Sequence, residues 1–199
     1  MVMAQGPSYP LGADVTSLPA VERWRPLVNW ALVIPHQIWL ALLTFGSEVL
    51  AVLTWFSILF TGRMPERWSD YMTGVFRYQW RVNCYLYGWT NIYPSFTPPA
   101  GHIDPGDYPA VLYCARAVER DRVTVFFRAI MAIPQMVVLY FVGIAGFAAL
   151  AVGWLAVLIT GRWPEGLRRF AIGYLRWAVR LSAYMFLLCD EYPPFSLEP

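Results

Sequence analysis

The sequence predicts an all-α integral membrane protein of two tandem repeats, each a kinked transmembrane helix followed by an Arg-striped amphipathic helix. Three observations carry this prediction. Of 199 residues, 58% are hydrophobic and 14% are charged, and the mean hydropathy is +0.43, whereas ordinary soluble domains carry roughly 25% charged residues. Two dominantly apolar stretches, residues 36–60 and 135–159, each exceed the roughly 20 residues that cross a bilayer. The stretch 55–66 also recurs 99 positions later as 154–165.

The recurring stretch is a turn cassette. It holds Thr61, Gly62, Arg63, Pro65 and Glu66 in the first copy, and Thr160, Gly161, Arg162, Pro164 and Glu165 in the second. Glycine at a helix C-terminus accepts the left-handed conformation. Proline at the first helical position loses no hydrogen bond, and glutamate behind it complements the positive helix N-terminus. Each cassette therefore reads as a helix stop, a turn and a helix start.

The offset of 99 holds along most of the chain without a gap: Arg23 matches Arg122, Pro35 matches Pro134, and Arg77 and Arg81 match Arg176 and Arg180. This defines two units, 8–98 and 107–197, joined by a Pro/Gly-rich segment, 97–106, that reads as an exposed linker. Each unit opens with a polar lead, and in the second copy 108–115 reads as a short strand. A helix start rich in Arg and aromatics follows, suited to the headgroup zone. Pro35 and Pro134 then kink or begin the apolar helix. A competing reading takes 44–47 and 142–146 as turns, which makes each apolar run a hairpin that enters the membrane without crossing.

The last part, 66–90 or 165–189, places Arg77 and Arg81, or Arg176 and Arg180, on one helical stripe. Such a helix either spans with its stripe turned into a bundle or lies in the interface. Two repeats of the same sense favour four crossings, near 36–60, 66–90, 135–159 and 165–189, with both termini and the linker on one side.

The cassettes, the Ile34-Pro35-His36 start and the ending at 190–197 together resemble a bacterial membrane family, domain-of-unknown-function family 4389, whose members carry the unit singly or in tandem. The resemblance covers nearly the whole chain in both copies. It implies a multi-pass protein of the bacterial inner membrane and carries over no activity, cofactor or catalytic residue. The first copy departs from the pattern at Asn91-Ile92, where the second has Asp190-Glu191.

Charge and motifs narrow the chemistry. All 15 Lys+Arg residues are arginine and the net charge is +2, without the basic block that nucleic acid requires. Residues 1–20 do not pair a basic segment with an apolar one, so insertion is expected to rely on the internal segments. Cys84, Cys114 and Cys189 lack metal or redox spacing and read as small apolar filler. His36 sits at the mouth of an apolar run, but its repeat equivalent is Gln135, so a hydrogen-bonded histidine is expected rather than a haem or pigment ligand. His102 falls in the linker and is expected to be solvated. No catalytic constellation, phosphate loop or cofactor motif is present, so the chain is read as a non-enzyme without cofactor.

The arginine pairs Arg77/Arg81 and Arg176/Arg180 project on one face. They read as a lipid-headgroup site, since an Arg fork suits phosphate, or as a structural polar seam. Glu48, an acid in an apolar run with Phe147 as its equivalent, is expected to ion-pair with Arg77, Arg176 or both and so tie the repeats together. The function expected is that of a non-catalytic scaffold or accessory subunit, partnered by the bilayer and by other membrane-protein subunits. The alternative is a small transporter or channel with its pathway between the repeats.

Overall fold

The computed structural model describes residues 9–16, 20–99, 101, 103–116 and 119–198. The expectation for His102, and the side on which the chain before residue 9 falls, lie outside the described residues. The elements are β1 (Leu11–Val15), α1 (Arg25–Thr61), α2 (Glu66–Leu86), β2 (Ala110–Cys114), α3 (Arg122–Thr160) and α4 (Glu165–Met185).

The helix start and the apolar run of each repeat are one continuous helix. α1 has 37 residues and α3 has 39, so each is about 55–60 Å long at 1.5 Å per residue. Pro35 and Pro134 lie inside these helices on exposed positions and begin neither. The stretches 44–47 and 142–146 are helical as well, so neither apolar run is a hairpin.

The cassettes form the turns expected of them. Gly62 (φ 74°) and Gly161 (φ 72°) are left-handed caps whose N–H groups donate to Ile58 and Val157, a conformation only glycine adopts at little cost. The Thr61 and Thr160 hydroxyls donate back to Ser57 and Ala156 at 2.7 Å. Pro65 and Pro164 are helix caps, one position ahead of the expected first turn.

Each long helix and the shorter one after it form an antiparallel hairpin. On α1 and α2, Tyr71 donates to the Leu43 carbonyl at 3.1 Å and Asn29 to the Tyr85 carbonyl at 2.8 Å. Between them His36 Nδ1 lies 2.5 Å from the Tyr78 hydroxyl. The equivalent junction on α3 and α4 pairs the Trp177 indole with Gln135 at 2.6 Å. Gly143 and Gly146 admit the Tyr174 ring, and Gly153 admits Trp163.

The protein is not all-α. The strand expected near 108–115 is β2, and it pairs antiparallel with β1, which the sequence reading did not anticipate. Leu112 is the repeat equivalent of Ala13, and these two residues pair, so a pseudo-two-fold axis passes through them. The strands are exchanged: β1 of the first repeat packs on α4, and β2 of the second on α2. The exchange continues at the cassettes, where Val21 N–H donates to Gly161 and Arg120 N–H to Gly62. The Trp55 indole donates to the Val125 carbonyl. The end of each long helix thus meets the start of the other, and α1 and α3 run in opposite directions.

Among the described residues, only α1 and α3 are long and apolar enough to cross a membrane, and most of their apolar length is not buried within the protein. The α2 and α4 helices, expected as two further crossings, lie between the long helices and the sheet. Glu48 is exposed on α1. It makes no ion pair among the described residues, because Arg77 and Arg176 are engaged on the sheet side of α2 and α4 with Asp104 and Asp14.

Candidate functional site

The arginine stripe of α2 and α4 is a buried seam beneath the sheet. Arg77 Nε donates to the Leu112 carbonyl at 3.2 Å, and its Nη1 donates to the Pro99 and Gly101 carbonyls at 3.0 and 3.1 Å. Its ion-pair partner is Asp104 at 2.9 Å. Arg81 reaches Asp104 at 3.1 Å and Asp107 at 2.7 Å, with its guanidinium over the Tyr108 ring. The described residues of the 97–106 segment, exposed or half-buried, supply α2 with counter-charge from Asp104 and with the Pro99 and Gly101 carbonyls as acceptors. The Arg81 hydrogen bond holds the Asp107 carboxyl below its ordinary range.

The second half repeats the backbone contact and changes the charges. Arg176 Nε donates to the Ala13 carbonyl at 2.6 Å, and its Nη2 donates to Asp14 at 2.6 Å. Arg180 is buried with its guanidinium 6.0 Å from the Tyr9 ring centroid. It has no hydrogen bond or ion pair among the described residues. Its counterpart's partners, Asp104 and Asp107, correspond to the uncharged Gln5 and Ser8. Burial, then the neighbouring Arg176, push Arg180 below the ordinary arginine range.

A second charged cluster fastens the start of α3 to the end of α4. Arg128 donates to the Tyr184 and Cys189 carbonyls at 2.7 and 2.9 Å and to Asp190 at 2.5 Å. Arg120 donates to the Leu188 carbonyl at 2.7 Å and lies 3.8 Å from Asp190. At the equivalent positions the first repeat has Asn29 for Arg128, Val21 for Arg120 and Asn91 for Asp190. The acid is thus present in the copy that has cations to bind and absent from the other. Sequence reasoning noted the Asp190 difference and missed its partners. The joint departure at 29 and 91 was the signal.

His36 is fully buried, bonded to Tyr78 and stacked on Phe96 with ring centroids 4.1 Å apart. Cys84, Cys114 and Cys189 are buried free thiols. No group of three or more potential metal ligands occurs among the described residues.

The arrangement defines an internally duplicated helical protein, with two helices long and apolar enough to span a membrane and a charged seam closed by exchanged strands. The chain belongs to the family described as Domain of unknown function (DUF4389), whose model matches residues 23–97 and again 122–196. Both matched segments leave out β1 and β2, and with them Asp14, Asp104 and Asp107. No curated protein and no solved structure matches the chain.

Proposed function

We propose that this protein is a non-catalytic membrane scaffold that rests α1 and α3 in one face of a bilayer and holds its sheet in water. The observation that carries this is the placement of its two kinds of surface. Large apolar side chains stand exposed along the whole of α1 and α3, from Leu27 to Phe60 and from Val123 to Ile159. On the other side of α2 and α4 stand the exposed acids Asp14 and Asp107, 69% and 64% exposed.

Asp14 binds Arg176 midway along α4, and Asp104 binds Arg77 midway along α2. A bundle crossing the bilayer along α1 would carry them to mid-membrane, where each charge costs about 2.5–3.5 kcal/mol on insertion scales. The long helices also exceed the roughly 30 Å hydrocarbon thickness. A reclined seat avoids both costs and takes the place of the four crossings expected from sequence. The bilayer and other membrane proteins lodged in it are the partners this surface suits. One crevice between the repeats, at Val21, Asn29, Trp154 and Trp163, leaves no room for water, and the wider ones beside Asp14 and Asp107 and beside Trp30 and Phe147 are grooves open to the surface, which supports a scaffold over a pathway between the repeats.

Single cysteines at positions 63 and 162, in the native-cysteine-free background, test the seat in sealed vesicles. A reclined protein labels at both from the same side. Antiparallel crossing helices place the two cassettes on opposite sides, and labelling of one position from each side overturns the proposal.

A further inference from the structure

Four arginine pairs recur at the repeat offset: Arg23/Arg122, Arg63/Arg162, Arg77/Arg176 and Arg81/Arg180. The last two form the internal seam. The first two are exposed, and no side chain among the four makes a hydrogen bond or ion pair with the described residues. Strand exchange brings them together at the cassettes. Arg122 lies over Gly62, its Nε 3.2 Å from where a Cβ would stand, and Arg23 lies over Gly161 at 3.8 Å. Each end of the long-helix layer therefore has two arginines that make no ion pair among the described residues: Arg63 with Arg122 at one, Arg162 with Arg23 at the other.

The two ends differ in what adjoins them. Beside Arg23 and Arg162, α1, the end of α2 and α3 line an open apolar groove of about 430 Å³, with Trp30, Leu86, Phe147, Ala151, Trp154 and Leu155 among its walls. It begins roughly 10–12 Å from the arginines, at seven or eight residues of helix. At the other end, Ala129 replaces Trp30 and Glu48 replaces Phe147. Trp55 is there turned onto Phe126 and bonded to Val125. The acids differ too. Glu119 bridges to Arg63 through the backbone, whereas its equivalent is Ala20, and the nearby Glu22 is held by Arg25 at 3.1 Å.

We infer that the Arg23/Arg162 end is a specific site for one anionic phospholipid, with an acyl chain in the groove and the headgroup phosphate between the two guanidiniums. Arginine forks match phosphate geometry, and an apolar chain suits a groove that opens on the membrane-facing layer. This inference rests on the membrane seat proposed above. It also gives the exposed Glu48 a consequence: an acid at the position equivalent to Phe147 leaves one lipid site per molecule instead of two.

The test is native mass spectrometry of the full chain in mild detergent, titrated with phosphatidylglycerol. The wild type is expected to retain one lipid. Binding should weaken at least about tenfold in the Arg23→Gln/Arg162→Gln variant, the factor equivalent to about 1.4 kcal/mol. It should weaken similarly in Ala151→Trp, which fills the groove from an exposed position. The Arg63→Gln/Arg122→Gln variant is expected to bind as the wild type does. Equal loss in both arginine variants, retention in Ala151→Trp, or a polypeptide in place of the lipid overturns the inference. Flotation on phosphatidylglycerol/phosphatidylethanolamine vesicles separates the two readings. A wild type that floats but retains no lipid overturns this site alone, and one that does not float overturns the membrane seat with it.

Discussion

Arg176 of the second repeat donates its Nε–H to the backbone carbonyl of Ala13 in the first, 2.6 Å away. Arg77 makes the equivalent bond to Leu112. The two repeats thus hold each other's leading strand, and each arginine is a partner for a segment far away in sequence.

Arg77→Met is expected to destabilise the protein by about 3–5 kcal/mol, because Asp104, 10% exposed, is left without its closest cation. Adding Asp104→Asn should recover part of that loss. Thermal unfolding of both variants in detergent checks this. Equal melting temperatures for the wild type and Arg77→Met would show that the seam contributes nothing to stability.

Arg128→Asn copies the first repeat at a single position. It leaves Asp190 and two carbonyls with fewer donors and should lower the melting temperature. Asp190→Asn added to it restores the first repeat's combination of residues. The double variant should melt above Arg128→Asn, and a lower value would mean that the pair is not coupled.

Gly161→Val should reduce stability by about 1–3 kcal/mol, since a β-branched residue resists positive φ. Its added side chain would also meet the Val21 carbonyl and the Arg23 side chain. Expression level and melting temperature are the readouts, and a normally abundant, equally stable protein would contradict the assignment of the cassette as a turn.

Glu48→Gln should change stability by no more than about 0.5 kcal/mol, the range of an exposed substitution away from structural contacts. A large loss in the melting temperature would reinstate a buried partner for this acid.

Asp107 gives a pH dependence of definite sign. Its carboxyl titrates below the ordinary 3.8, chiefly through the Arg81 hydrogen bond. A depressed folded-state value contributes stability that is present above 3.8 and is lost as pH falls through the lower folded value. Asp107→Asn should therefore flatten the stability curve below about pH 4 and leave its shape near neutrality unchanged. Melting curves between pH 2.5 and 7 test this, and an unaltered acid limb in the variant refutes it.

The sequence by itself determined the duplication, the two long apolar helices and the cassettes. These depend on local chemistry: glycine for a left-handed cap, proline at a helix start, and helical periodicity in the Arg stripe. It also placed β2, and it put the four seam arginines on one face of their helices. Tertiary structure decided the rest. The β1 strand is five residues long, too short to declare itself by periodicity, and it exists because β2 and α4 cover its backbone and side chains. The partners of Arg77 and Arg176 belong to segments outside their own helical hairpins, whereas counting depth along one hairpin pointed to Glu48. A depth argument assumes that a charge inside an apolar run is buried. Glu48 faces outward, and the carboxylates that matter stand on strands and connections whose place depends on the exchange between repeats. Two equal repeats can stack in the same sense or interlock across a two-fold axis. Their local sequence is the same in both cases, and contacts between the repeats, the pairing of Ala13 with Leu112 and the Val21–Gly161 and Arg120–Gly62 bonds among them, distinguish them.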